Sequence, residues 1–119
     1  MGAGLTPAPF LTPLEREAAA AYMARVARAL GHRLVRVIVF GSRARGEGHE
    51  ESDLDLAVVV EGDETDLFRP VFDLAAGINL EYEYAVRLSP LLISENRLNE
   101  YYRRELGIAR AILDEGFPL

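Results

Sequence analysis

The 119-residue sequence contains no cysteine, no lysine, no glutamine and no tryptophan. Without cysteine there is no disulfide framework, no thiol nucleophile and no cysteine-based zinc cluster, a composition compatible with a reducing compartment. Without lysine there is no Schiff-base chemistry and nothing to fill the lysine position of a phosphate loop. No apolar run approaches the roughly 18 residues needed to span a bilayer, and the first residues lack the charged start and long hydrophobic stretch of a secretion signal. A soluble cytoplasmic protein that does not engage membranes is expected. Positive charge is in short supply: 13 arginines stand against 19 acidic residues, for a net charge of −6. With a pI near 4.9, the chain is not expected to grip nucleic acid by bulk electrostatics. An anionic substrate would need a local basic patch or a bound cation. The length suits one domain that buries a core without disulfide or metal staples.

Residues 1–11, with Pro7 and Pro9, read as a mobile leader, and residues 12–119 as one domain. Thr12-Pro13-Leu14-Glu15 has the hydroxyl, proline and glutamate spacing of a helix capping box. The helix should run to about Leu30, with Leu14, Ala18, Tyr22, Val26 and Leu30 on one face and Gly31 as its stop. Arg36–Phe40 reads as a strand ending at Gly41, and Asp53–Val60 as a second. A helix over residues 67–76, stopped by Gly77, should lead to a third strand over residues 78–88. There Ile78, Leu80, Tyr82, Tyr84 and Val86 alternate with Asn79, Glu81, Glu83, Ala85 and Arg87, and Ser89-Pro90 should break the strand. A polar helix within residues 95–115 completes the series. This order predicts an α/β (α+β) fold, a short mixed sheet with flanking helices, in which the second and third strands form a parallel crossover unit.

The chemistry concentrates in residues 40–56. Gly41 to Gly46 has the glycine spacing of a phosphate loop, but Glu47-Gly48 stands where that motif requires Lys-Ser/Thr, which excludes it. A strand ending in Gly41-Ser42 and turning at once into a short helix offers backbone N–H groups and a hydroxyl to a phosphate instead. Asp53 and Asp55, two apart on a strand, project two carboxylates from one face and leave Leu54 and Leu56 for the core. Like charges this close call for a cation, and magnesium favours carboxylate oxygens and completes its shell with substrate phosphates. Two such ions held between carboxylates would form a two-metal site.

Together, the strand, Gly41-Ser42, a polar loop and Ser52-Asp53-Leu54-Asp55-Leu56 resemble the active-site motif of nucleotidyltransferases with the DNA polymerase β palm-like fold. The wording Gly-Ser-Arg-Ala-Arg-Gly-Glu-Gly followed by Ser-Asp-Leu-Asp-Leu-Ala-Val is similar to the minimal nucleotidyltransferases, single-domain proteins often encoded beside a helical HEPN partner in toxin–antitoxin pairs. The resemblance spans about residues 33–119. It implies that Gly41 and Ser42 hold the phosphates of a nucleoside triphosphate, with Arg43 as a further phosphate contact. It also implies that Asp53 and Asp55 bind magnesium. The family adds a third carboxylate, usually aspartate, from the strand after the crossover helix. The sequence departs from that pattern, since residues 78–88 offer only Glu81 and Glu83, either of which could be a catalytic ligand or part of a solvated face.

The implied activity is magnesium-dependent transfer of a nucleoside monophosphate, AMP from ATP, to an acceptor hydroxyl. The acceptor would be a HEPN-type partner protein, and the chain its antitoxin. So short a chain leaves little space for an acceptor domain, so a partner or a second copy of the chain is expected to complete that site. Two alternatives stand beside this reading: an inactive module of the same fold that neutralises a partner by masking it, and a transferase acting on a small molecule such as an antibiotic.

Overall fold

The computed structural model describes residues 10–46 and 53–119. Helix α1, Pro13–Leu30, begins as the sequence requires: Thr12 Oγ1 accepts from the Glu15 amide (3.1 Å), and Glu15 Oε1 accepts from the Thr12 amide (2.8 Å). A short 3-10 turn over Gly31–Arg33 leads into β1, Leu34–Phe40. The single turn α2, Ser42–Arg45, follows at once. Then come β2, Leu54–Val60, and α3, Phe68–Glu81. The remainder is β3, Leu88–Ser94; α4, Glu95–Arg103; α5, Gly107–Leu113; and the two-residue β4, Phe117–Pro118. The sheet order is β3-β2-β1-β4, with β1 antiparallel to β2 and β4, and β2 parallel to β3. This is the expected mixed sheet with flanking helices. Among the described residues, no helix is long and apolar enough to cross a membrane. The reading of residues 1–9 as a mobile leader lies outside the described residues; Leu11, at the end of that segment, is buried in the core.

Strand alternation builds two cores, one on each face of the sheet. Val37 and Val39 of β1, with Leu54, Leu56, Val58 and Val60 of β2, pack against α1 and α3. Ile38, Phe40, Ala57, Val59 and Ile93 pack against Leu98 of α4 and Ala109 and Ile112 of α5. From α1, Ala18, Tyr22, Val26 and Leu30 are buried as expected, while Leu14 is exposed and Glu15 takes the buried position beside it. The Tyr22 hydroxyl, its pKa raised by burial, donates to the Val71 carbonyl at 2.9 Å and ties α1 to α3.

The third strand lies later in the chain than the alternation predicts. Residues 78–81 complete α3, and Gly77 lies inside that helix. The segment also carries a helical period, Val71, Ala75 and Ile78, and it is this set that is buried; Leu80 and Tyr84 are 65% and 60% exposed. Helix α3 ends in a tight turn in which Glu83 and Tyr84 adopt positive φ. Asn79 then brackets the first residue of β3: its Oδ1 accepts from the Leu88 amide (2.8 Å), and its Nδ2 donates to the Leu88 carbonyl (3.1 Å). Ser89-Pro90 lies within β3 rather than ending it, which is tolerable because β3 is an edge strand. At the far end the buried Glu64 carboxylate accepts from the Ser94 amide (2.6 Å) and pairs with Arg97. The expected single tail helix is two, α4 and α5, separated at Arg104–Leu106, where Glu105 has φ 59°.

The buried ion pair between Glu15 and Arg43 joins α1 to α2, with Oε2–Nη1 at 2.5 Å and Oε1–Nη2 at 2.6 Å. Both side chains are almost wholly buried. Glu15→Ala strands the guanidinium and deletes half of the capping box, so a loss of about 3–5 kcal/mol is expected in denaturant unfolding. Glu15→Gln, which keeps the hydrogen-bonding oxygen, should lose less; equal stability of Glu15→Ala and the native chain would contradict this account.

Candidate active site

The end of β1 and the start of β2 are neighbours because the strands are antiparallel, with Phe40 opposite Asp55. The Gly41-Ser42 turn therefore meets the Asp53/Asp55 pair. Gly41 has φ 78°, a conformation that disfavours side chains, and a methyl group there would sit 2.5 Å from Asp55 Oδ2. The carboxylate thus lies directly over the glycine backbone. From Gly41 the chain enters α2, whose turn is closed by Ala44 and Arg45 amides donating to the Gly41 carbonyl and by Gly46 in the left-handed region. The first N–H groups of such a turn lack intrahelical partners.

Asp53 and Asp55 share the sheet face of Ala57 and Val59, while Leu54 and Leu56 point into the opposite core. Burial pushes the Asp55 carboxyl above the ordinary carboxylate range, and the charge of Asp53 pushes it the same way. A partly desolvated Asp55 thus stands beside the exposed charge of Asp53. That donor set suits one hard divalent cation, which would neutralise the repulsion and keep further positions for phosphate oxygens and water.

The other sequence candidates are not brought to this point. The Arg43 guanidinium is buried on Glu15 and also donates to the Phe10 carbonyl at 3.2 Å. Its side chain anchors α2 rather than facing a phosphate. Glu81 lies at the end of α3 and makes a two-pronged pair with Arg25 of α1 (2.6 and 2.9 Å), which holds its carboxyl below the ordinary range. Those two helices cover the face opposite Asp53 and Asp55. Glu83 stands exposed in the turn after α3. The expectation that either glutamate projects from the third strand beside the aspartates fails because neither is on that strand. Residues 47–52, between the turn and the aspartates, lie outside the described residues.

Sequence reading missed Arg87. It immediately precedes β3, its carbonyl accepts from the Leu54 amide at 2.8 Å, and its Nε lies 3.5 Å from Asp53 Oδ1. The apolar residues Leu88, Leu91, Leu92 and Ile93 were the available signal for that strand, which places Arg87 beside the second strand's first residues.

The structure thus brings a glycine-serine turn under a strand-borne aspartate pair. Residues 23–115 match the family model of the nucleotidyltransferase domain, and the chain belongs to that family. A Methanocaldococcus jannaschii protein assigned as a protein adenylyltransferase is 34% identical over 84 residues, covering 71% of this chain and 76% of that protein. Within the family the likeness extends to the minimal members: a solved structure assigned as a minimal nucleotidyltransferase is 30% identical, with TM-score 0.52, covering 92% of this chain and 100% of that one. A toxin–antitoxin structure with AMP-PNP shares the fold at 18% identity and TM-score 0.52, covering 82% of this chain and 69% of that one.

Gly41→Ala combines an unfavourable positive φ with a clash against Asp55. It should cost at least about 1 kcal/mol in unfolding and weaken nucleotide binding, measured by calorimetric titration. Asp55→Asn removes a desolvated charge, so the metal-free variant should melt at a higher temperature than the native protein. With excess magnesium and nucleotide that advantage should shrink; a lower melting temperature without metal would contradict the repulsion argument.

Proposed function

We propose that the protein transfers AMP from ATP to a hydroxyl of a partner protein, using magnesium held by Asp53 and Asp55. The observation that carries this is the packing of the Asp55 carboxylate against Gly41, which joins a cation-binding pair to a phosphate-binding turn. The Gly41 backbone and the Ser42 amide and hydroxyl hold the triphosphate, and Asp53 and Asp55 are the residues that would hold the cation. When bound, magnesium supplies charge neutralisation on the phosphates and withdraws electrons from the phosphorus. The acceptor oxygen attacks the α-phosphorus and gives its proton to solvent, the bond to the β-phosphate breaks, and pyrophosphate leaves. Positioning and electrostatics supply most of the rate in such a reaction.

Protein as acceptor is supported by the relative assigned as a protein adenylyltransferase, and a toxin–antitoxin setting by the neighbour solved with AMP-PNP. A HEPN-type toxin is the partner that the minimal-family resemblance suggests, with the chain as its antitoxin. Dependence on ATP and magnesium goes with action in the cytoplasm. One feature favours a competing reading in which the chain masks its partner without turnover: among the described residues, no three acidic or histidine side chains gather into a metal site.

Incubation with magnesium, α-labelled ATP and the protein encoded beside it separates the two. Label should appear on the partner, and Asp53→Asn or Asp55→Asn should slow transfer on the order of a hundredfold or more with an unchanged far-UV spectrum. Undiminished labelling by the double variant sinks the proposal. Stoichiometric complex formation with no label favours masking.

A further inference from the structure

The register of β2 on β3 fixes what can stand beside the aspartate pair. Leu54 faces Leu88 and Asp55 faces Ser89, so Arg87 is level with Asp53. The positions of this strand that share the aspartates' face are 87, 89 and 91, occupied by arginine, serine and leucine. No carboxylate is available there to complete a pair of ion sites, and among the described residues no third acidic or histidine ligand joins Asp53 and Asp55. In its place stands a guanidinium, with Nε 3.5 Å from Asp53 Oδ1. Its backbone is pinned by the Leu54 amide, so the side chain starts from a fixed point at the strand's edge.

We propose that Arg87 is a built-in cation that takes the place of a second metal ion, so that the site holds one divalent ion per bound nucleotide. The inference rests on the magnesium-dependent reading above. Its physical content is the supply of oxygen ligands. Two carboxylates supply ligands for one divalent ion, whereas a second, among the described residues, would meet a positive charge on this strand where it needs an oxygen ligand. An arginine here sets its positive charge beside Asp53. Arg87 also competes with the bound ion for Asp53, and this competition is measurable without turnover.

The test is a count of bound Mn2+ by electron paramagnetic resonance, on the full chain with a non-hydrolysable ATP analogue. The native protein should bind one ion per chain, and Arg87→Asp, which installs the missing carboxylate, should bind two. Arg87→Gln, a milder change at a half-exposed position, guards against misfolding of the first variant. It should keep one ion, bind it up to about fivefold more tightly because an exposed competing charge is gone, and transfer AMP more slowly. Two ions on the native protein overturn this inference and leave the magnesium-dependent reading standing; none overturns both. A folded Arg87→Asp that still holds one ion, or an Arg87→Gln with unchanged Mn2+ affinity, also overturns it.

Discussion

The contact between the Asp55 carboxylate and the bare backbone of Gly41 is the constraint around which the site is organised. It exists because β1 and β2 are antiparallel neighbours and because residue 41 has no side chain. A strand that delivers two acids to one face brings repulsion and desolvation with it, and the raised proton affinity of Asp55 records both. The fold tolerates this because the alternate residues, Leu54, Leu56, Val58 and Val60, are buried in the core beneath α1 and α3. Apolar burial on one face therefore offsets electrostatic strain on the other, a division that the two-residue period of a strand makes available.

Around that contact, arginines do two different jobs. Arg43 is withdrawn into the protein and clasped by Glu15, so the turn that follows Gly41 is held by the same glutamate that starts α1. A lysine could not make this two-pronged pair, and the all-arginine composition thereby acquires a structural use. Arg87 remains at the surface beside Asp53. One arginine holds the turn after Gly41, and the other stands beside Asp53.

Much of this was legible in the sequence, for local reasons. The capping box, the branched strands and the Asp-Leu-Asp spacing all act over a few residues, and each appears where expected: at Thr12–Glu15, in β1 and β2, and at Asp53 and Asp55. The failures come from ambiguity that only tertiary contact resolves. Residues 78–84 alternate like a strand, yet Ile78 also continues the helical series of Val71 and Ala75, and docking against α1 selects the helix. The Tyr82 hydroxyl on Glu17 and the Glu81 carboxylate on Arg25 belong to that docked state. Once the strand was expected too early, Glu81 and Glu83 were candidates for a position that belongs to residues 87 to 91. The partner of Arg43 lies 28 residues away, and no local pattern announces it.

The outer margin of β3 has a consequence for assembly. With the Leu54 amide bonded to the Arg87 carbonyl, alternation turns the backbone groups of Leu88, Pro90, Leu92 and Ser94 away from β2. Leu88 is occupied by Asn79, Ser94 donates to Glu64, and Pro90 has no hydrogen to give. The opposite margin is the two-residue β4. The β3 margin thus offers little template for an added strand, which guards that edge against aggregation.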